Sequence, residues 1–173
     1  MKKLWVKKKS SLHGSGLFAS ANIQKNEQII EYIGDKVTKK EGDKRANKQI
    51  NKAKKNKKNG MVYIFELNKK YDIDGGVLRN YARFINHSCK PNCEVEITDN
   101  QIWISSIKKV KKNDELTYNY GYPFDSDFDD HVCKCGSKKC VGFILSYDDW
   151  PKLKKALNKK NNLINQNPFG MNM

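Results

Sequence analysis

The amino-acid sequence predicts a mainly β fold with short helices. Its 173 residues suffice for one domain that buries about two thirds of the surface exposed by the unfolded chain. Apolar residues occur in short runs or in alternation, bounded by turn-forming residues, which is the pattern of strands. Helical patterns are confined to two places. The predicted strand segments are, in chain order, LWV, GLFAS, QIIEYIG, MVYIFEL, YDIDG, CEVEIT, QIWISSI and ELTYNY.

Local residue pairs predict one hairpin and the start of the first helix. Asp99 and Asn100 separate CEVEIT from QIWISSI, and both residue types tolerate the left-handed backbone of a two-residue hairpin turn. Thr38 and Glu41 have the spacing of a helix capping box. They open a Lys/Asn-rich insert at about 38–60, which is either a mobile insert or a solvated helix.

The second helical pattern lies near the C-terminus. It begins after Asp149, with Pro151 near its first turn, where proline is tolerated. Leu153, Ala156 and Leu157 fall on one stripe. We expect the last residues, 161–173, to be a loose tail.

The net charge of +15 is unevenly distributed. Residues 1–60 hold 17 basic and 5 acidic side chains, whereas residues 124–150 hold 3 basic and 6 acidic ones. Only three of the 34 basic residues are arginine, so an A+T-biased genome is one explanation of the lysine excess. The other is an anionic partner, and the basic N-terminal half then predicts a contact with nucleic acid.

The N-terminus resembles neither a signal peptide nor a membrane anchor. MKKLWVKKKS has lysines without an apolar stretch behind them, and no apolar run is long enough to span a bilayer. We therefore expect an intracellular, cytoplasmic protein without membrane contact. For a pathogen, secretion into a host and action in the host nucleus is the alternative.

The five cysteines indicate a metal site. Three of them, Cys133, Cys135 and Cys140, form the pattern C-x-C-x4-C, which suits zinc or reduced thiols better than a disulfide framework. Tetrahedral zinc needs one more ligand. The candidates for that ligand are Cys89, Cys93, His87 and His131.

Five motifs together resemble one protein family. In chain order they are HGSGLF at 13–18, EYIG at 31–34, RFINHSCKPN at 83–92, ELTYNY at 115–120 and CKCGSKKC at 133–140. Their types and order resemble those of the SET-domain protein lysine methyltransferases with a post-SET zinc motif. The resemblance covers roughly residues 10 to 145.

The resemblance implies a specific fold and domain organisation. The SET fold consists of small curved β-sheets with a pseudoknot-like threaded C-terminal segment, an exception to the usual unthreaded topology. We accordingly expect a SET domain at 1–123 that contains the insert. A post-SET zinc segment at 124–146 and a C-terminal helix and tail at 147–173 follow.

The implied activity is methylation of a protein lysine, with S-adenosyl-L-methionine as cofactor and Zn²⁺ in a structural role. A lysine amine has a pKa near 10.4, so deprotonating it at pH 7 costs roughly 4.6 kcal/mol. Desolvation in an aromatic channel and a neighbouring cation lower that cost. We expect the substrate to be a basic protein, such as a histone tail or another nucleic-acid-associated protein, because four carboxylates at 125–130 could attract it.

Three tyrosines carry the implied catalysis. Tyr120 matches the tyrosine that orients the amine and the methyl group, and Tyr32 would form a wall of the lysine channel. The hydroxyl of Tyr118 would occupy space that further methyl groups need, which predicts mono- or dimethylation. Asn119 stands where relatives commonly have aspartate, so the role of that position is in doubt.

The resemblance also assigns the binding residues. Gly14 and Gly16 would let the backbone approach the amino-acid end of the cofactor, and Phe143 would pack on its adenine ring. The predicted cofactor-binding residues are His13, Gly14, Ser15, Gly16, Tyr63, Arg83, Asn86, His87 and Phe143. The predicted metal ligands are Cys89, Cys133, Cys135 and Cys140, which leaves Cys93 as a buried spare thiol.

A second hypothesis is a zinc-stabilised nucleic-acid-binding protein that keeps the fold without catalysis. Tyr118, Tyr120, Asn86 and His87 argue against it, because a binding module does not need them. Tight, salt-sensitive DNA binding without cofactor binding would favour it.

Overall fold

The computed structural model of the protein describes residues 3–55 and 62–166. The chain divides into two units. The first comprises Met1–Asn86 and Pro91–Tyr118, and the second comprises His87–Lys90 and Asn119–Met173. The chain therefore leaves the first unit briefly at His87–Lys90 and returns to it at Pro91.

Ten short strands outnumber the helices among the described residues, so the predicted mainly β class is confirmed. The strands are β1 (Trp5–Lys9), β2 (Ser15–Ala19), β3 (Gln28–Glu31), β4 (Asp35–Thr38), β5 (Ile64–Glu66), β6 (Tyr71–Asp74), β7 (Asn86–His87), β8 (Cys93–Thr98), β9 (Gln101–Ser106) and β10 (Thr117–Tyr118). The α-helices are α1 (Lys39–Lys55) and α2 (Trp150–Gln166), and three 3-10 helices span Ala82–Phe84, Phe128–Asp130 and Tyr147–Asp149.

Three small antiparallel sheets form the first unit. Their strand orders are β1-β2, β3-β9-β8 and β4-β6-β5. The predicted hairpin is confirmed, because Thr98 pairs with Gln101 and the two turn residues, Asp99 and Asn100, have φ of 53° and 59°. The fully buried apolar side chains of this unit include Leu17, Ile23, Ile85, Ile102, Ile104, Val110 and Leu116.

Helix α1 occupies most of the region predicted as polar insert, and β4 ends at the first residue of that region. The Thr38 hydroxyl accepts a hydrogen bond from the backbone N–H of Glu41 at 3.4 Å, so the helix begins where the capping pattern predicts. The solvated-helix interpretation is thus correct for the described part of the insert, and residues 56–61 lie outside the described residues.

Buried carboxylates of β6 hold α1 in place. The Lys39 ammonium lies 2.6 Å from an Asp72 oxygen, and the Arg45 guanidinium lies 2.9 Å from an Asp74 oxygen. Burial opposes the charge on Lys39, but its hydrogen bonds to Asp72 and Glu66 outweigh that effect and raise its pKa. Charge pairs therefore help to attach the helix to the sheet.

Asp149 organises the C-terminal part of the second unit. Its carboxylate accepts hydrogen bonds from the Phe124 backbone N–H at 3.0 Å and the Ser146 hydroxyl at 3.1 Å, and it pairs with Lys152 at 2.6 Å. These contacts, with that to Lys152 the largest, lower the pKa of Asp149. Leu153, on the first turns of α2, is buried.

The predicted loose tail is wrong for part of its length. Helix α2 continues to Gln166, because a helix that has been nucleated propagates cheaply into further residues even when several are asparagine. Residues 167–173 lie outside the described residues. Among the helices of the described residues, none combines the length and the apolar character needed to cross a membrane.

Gly34 allows close contact between the EYIG segment and β6, which yields a prediction. A Cβ at this position would lie 2.2 Å from the Asp74 carbonyl oxygen, so Gly34→Ala must displace backbone. We expect a loss of about 1–3 kcal/mol in the free energy of unfolding, measured by urea denaturation. Gly76→Ala is the matched control, because its Cβ would meet only side-chain atoms, the nearest being an Asp74 oxygen at 3.1 Å. Equal midpoints for the two variants would contradict the prediction.

Candidate functional site

Asn92 fixes the segment that leads to the first of the paired tyrosines. Its side-chain amide donates to the Glu115 carbonyl at 2.8 Å, and its side-chain oxygen accepts from the Thr117 backbone N–H at 2.9 Å. Its own backbone N–H donates to the Thr117 carbonyl at 3.2 Å. One asparagine therefore pairs with three backbone groups of the segment directly before Tyr118.

Strand β2 holds the same segment through further backbone hydrogen bonds. The Leu116 N–H donates to the Leu17 carbonyl at 2.8 Å, and the Ala19 N–H donates to the Asp114 carbonyl at 2.9 Å. Both leucines are fully buried. Glu115 lies between the two residues that these hydrogen bonds hold, so its side chain is directed to a defined place.

The Glu115 carboxylate is a site residue that the sequence reasoning missed. It accepts hydrogen bonds from the Ser10 hydroxyl at 2.8 and 2.9 Å and from the Asn86 amide at 2.7 Å. Nothing local in ELTYNY shows that its glutamate would meet residues 10 and 86. Only the long-range arrangement around β2 reveals this contact.

Asn86 connects the RFINHSCKPN motif to the loop at 13–16, which we refer to as the glycine loop. Its side-chain amide also donates to the carbonyl oxygens of His13 at 3.4 Å and Ser15 at 3.2 Å. Gly14 has φ of +50°, a conformation that favours glycine, and Gly16 has no room for a Cβ, which would lie 2.3 Å from a Glu115 oxygen. The structure thus brings five predicted cofactor-binding residues of the first unit together.

A second cluster in the first unit is aromatic. The Tyr32 hydroxyl donates to the Tyr63 carbonyl at 2.8 Å. The Phe65 ring lies between two of the predicted catalytic tyrosines, with centroids 5.2 Å from Tyr32 and 6.4 Å from Tyr118. Tyr32 and Tyr118 are both buried. Phe65 is another residue that sequence reasoning did not assign to the site.

Arg83 contributes a half-buried cation beside this cluster. Its guanidinium carbon lies 5.5 Å from the centre of the Tyr63 ring and 4.9 Å from that of Phe84, and it donates to the Gly76 carbonyl at 3.1 Å. Burial raises the pKa of the Tyr63 hydroxyl, although Arg83 opposes the shift. The Arg83 Nε is buried and has no hydrogen-bond partner among the described residues.

In the second unit, His87 is bonded to the backbone of the predicted catalytic Tyr120. The Tyr120 N–H donates to His87 Nδ1 at 3.2 Å, and the two rings meet edge to face at 5.4 Å. Burial lowers the pKa of His87 to about 4, so its imidazole is neutral at pH 7. Because Nδ1 accepts a hydrogen bond, Nε2 carries the proton and faces the Cys89 sulfur at 3.5 Å.

Four cysteines of the second unit form a thiol cluster. The Sγ atoms of Cys89, Cys133, Cys135 and Cys140 all lie within 4.8 Å of one another. Burial raises the pKa of Cys89 to about 11. Burial also opposes ionisation of Cys135, but hydrogen bonds from the backbone of Cys89 and Ser137 outweigh it and lower its pKa to about 7. This cluster can hold a metal ion.

The other metal-ligand candidates have different partners. His131 packs edge to face on Tyr122, with ring centroids 5.0 Å apart. The buried Cys93 donates to the Asn92 side-chain oxygen at 3.4 Å. Of the four candidates for the remaining ligand, Cys89 is the one in the thiol cluster.

Phe143 lies beside the thiol cluster within the second unit. Its ring packs edge to face against Phe128 at 5.1 Å, and its carbonyl oxygen lies 4.0 Å from the Cys89 sulfur. Its contact with an adenine ring stays a prediction. The predicted catalytic residues are distributed between the units, with Tyr32 and Tyr118 in the first and Tyr120 in the second.

The sequence is similar to a known family of domains and to several named proteins. A family model described as "SET domain" matches residues 14–121. A protein of Emericella nidulans named "Histone-lysine N-methyltransferase, H3 lysine-4 specific" is 37% identical over 141 residues, which are 79% of this chain and 11% of the relative.

Two further relatives carry similar names. "Histone-lysine N-methyltransferase set-2" of Caenorhabditis elegans is 36% identical over 140 residues, covering 79% of this chain and 9% of its own length. The human "Histone-lysine N-methyltransferase 2D" is 33% identical over 138 residues, covering 76% of this chain and 2% of its own. The chain thus spans about a tenth or less of the length of these relatives. The match to the family model extends over more than half of the chain, and the chain belongs to the SET-domain family.

Proposed function

We propose that the chain is an S-adenosylmethionine-dependent protein lysine N-methyltransferase. The observation that carries the proposal is the Asn86 amide, which donates to the carbonyl oxygens of His13 and Ser15. It holds the glycine loop of a SET domain in a fixed conformation. The names of the relatives, which are histone-lysine N-methyltransferases, support the same activity.

The residues of the glycine loop fit the amino-acid end of the cofactor. Gly14 has open space where a side chain would stand, and the carbonyl oxygens of His13 and Ser15 can accept hydrogen bonds from an ammonium group. The buried Nε of Arg83, which lacks a described partner, is a donor suited to a carboxylate. When bound, S-adenosylmethionine supplies an electrophilic methyl group on a positively charged sulfur.

The aromatic cluster is suited to a lysine amine. Neutralising that amine at pH 7 costs roughly 4.6 kcal/mol in water, and a buried aromatic environment lowers the cost by disfavouring the charged form. Tyr32 and Tyr118 supply such an environment, since they are 4% and 8% exposed. The task of Tyr120 would be to orient the amine for in-line attack.

The thiol cluster fits structural zinc. Zinc–thiolate bonds of about 2.3 Å in a tetrahedron place the sulfur atoms about 3.8 Å apart. The Cys89 sulfur lies 3.7 Å from that of Cys133 and 3.9 Å from that of Cys140. Four thiolates would fill the coordination sphere, so the ion would stabilise the post-SET segment and leave no open position for catalysis.

We propose a basic protein segment, such as a histone tail, as the substrate. Two of the relatives named H3 lysine-4 specific are 37% and 36% identical to this chain. The second unit exposes four carboxylates that can attract a basic peptide, namely Asp125, Asp127, Asp129 and Asp130. Lysine-4 of histone H3 is therefore the first target to test.

Loss of the Tyr120 hydroxyl should impair methyl transfer. We expect Tyr120→Phe to slow transfer of tritiated methyl groups to mixed histones by about 100-fold, the cost of a misaligned reactant. Tyr71→Phe is the control, because Tyr71 is an exposed tyrosine of β6. An active Tyr120→Phe enzyme would argue against the assigned role.

Calorimetry that detects DNA binding but no cofactor binding would instead favour the non-catalytic hypothesis.

Loss of the Tyr118 hydroxyl should change the product. The native chain should give mainly mono- and dimethyllysine, and Tyr118→Phe should shift the product towards trimethyllysine because it frees space beside the amine. Mass spectrometry of a methylated histone H3 peptide measures the distribution, with the exposed Tyr71→Phe as control. Efficient trimethylation by the native chain, unchanged in Tyr118→Phe, would refute this prediction.

Zinc content should depend on Cys89 and not on Cys93. We expect the purified chain to hold one zinc ion, and Cys89→Ser to lose it and unfold at a lower temperature, since structural zinc contributes on the order of 10 kcal/mol to folding in favourable cases. Cys93→Ser is the matched control, another buried cysteine near the same motif. Elemental analysis showing that both variants lose zinc equally, or that the native chain lacks it, would contradict the assignment.

A further inference from the structure

The outward face of α1 carries a row of lysines. Lys40, Lys44, Lys48 and Lys52 are all exposed and follow one another at every fourth position. Successive members are about 6 Å apart along the helix axis and the row is about 18 Å long, because each residue adds about 1.5 Å. We refer to these four side chains as the lysine row.

The inner face of α1 fixes the direction of the row. Lys39 and Arg45 pair with Asp72 and Asp74 of β6, and a Cβ on Gly42 would lie 2.5 Å from an Asp72 oxygen. These contacts leave the helix little freedom to rotate about its axis. The row therefore points away from the sheet and is accessible to a large partner.

Repulsion between the charges of the lysine row destabilises α1. Like charges at i and i+4 destabilise a helix, and the row contains three such pairs in succession. Within the described part of the chain, Lys44 is the only member of the row with an ion pair, to Glu41 at 3.7 Å. An anionic partner would relieve this repulsion.

The residue types on the outward face of α1 favour nucleic acid over an acidic protein as its partner. Between the lysines, the exposed positions are Asp43, Asn47 and Asn51, so the face has neither apolar nor aromatic residues. Protein interfaces are enriched in aromatic residues and arginine and depleted in lysine. Lysine and asparagine are common donors to phosphate and sugar, and one strand of duplex DNA presents a phosphate about every 3.4 Å along its axis.

We propose that the lysine row of α1 docks the phosphate backbone of duplex DNA without regard to base sequence. The row lies outside the glycine loop and the aromatic cluster, so the proposal does not rest on methyl transfer. Its consequence for the molecule is that a chain of this family would be held on DNA by its insert helix.

The test compares two quadruple variants of the full chain that remove equal charge. One replaces the lysine row through Lys40→Gln, Lys44→Gln, Lys48→Gln and Lys52→Gln. The control replaces four exposed lysines of the same unit outside α1 through Lys70→Gln, Lys109→Gln, Lys111→Gln and Lys112→Gln. Fluorescence anisotropy with a labelled DNA duplex of arbitrary sequence, over a series of salt concentrations, measures the binding constant.

Loss of the row should flatten the salt dependence. If all four lysines contact phosphates, the slope of log K against log salt concentration should fall in magnitude by about 3.6, since each contact contributes about 0.9. The control should keep most of the native slope. Equal losses in both variants, or a native slope after removal of the row, would overturn the proposal.

Two further measurements secure the result. A double variant, Lys40→Gln with Lys48→Gln, should lose about 1.8 of the slope and guards against misfolding of the quadruple variant, although glutamine and lysine have similar helix propensity. Polyglutamate then serves as competitor. At equal total charge, polyglutamate should displace the labelled duplex less effectively than unlabelled duplex does. If it displaces the duplex as effectively, and does so only while the lysine row is present, an acidic protein is the better partner and the proposal is wrong.

Discussion

The hydrogen bonds between Asn92 and the backbone of Glu115 and Thr117 are the constraint on which the rest of the first unit depends. They fix the segment before Tyr118 from one side while β2 fixes it from the other. Only then can the Glu115 carboxylate reach Ser10 and Asn86 together. The shape of the glycine loop and the position of a predicted catalytic tyrosine thus follow from one amide side chain.

A neutral imidazole has the corresponding role in the second unit. His87 accepts from the Tyr120 backbone through Nδ1 and directs its Nε2 proton to the Cys89 sulfur. Partners of this kind orient metal ligands and tune their basicity, so the thiol cluster and the backbone of a predicted catalytic tyrosine share one side chain. Asn86 and His87, consecutive in the chain, therefore serve different units.

The sequence predicts the features that depend on local chemistry and misses those that depend on distant contacts. The Asp99–Asn100 turn and the cap at Thr38 are local, and the structure has both. Strand β4 was not predicted because Val37 is its one buried side chain, and its pairing with β6 supplies what the pattern lacks. The site roles of Phe65 and Glu115 were also missed, because their partners lie far away in the chain.

Helix α1 shows most clearly why composition alone could not decide the structure of the insert. Its sequence has no continuous apolar stripe, yet its two faces differ in how their charges are paired. Lys39 and Arg45 are paired with the buried carboxylates of β6, while Lys40 and Lys44 point outward. Adjacent basic residues of one helix thus have opposite roles, since Lys39 attaches α1 to the sheet and Lys40 faces solvent. The positions of Asp72 and Asp74 decide which role each residue has.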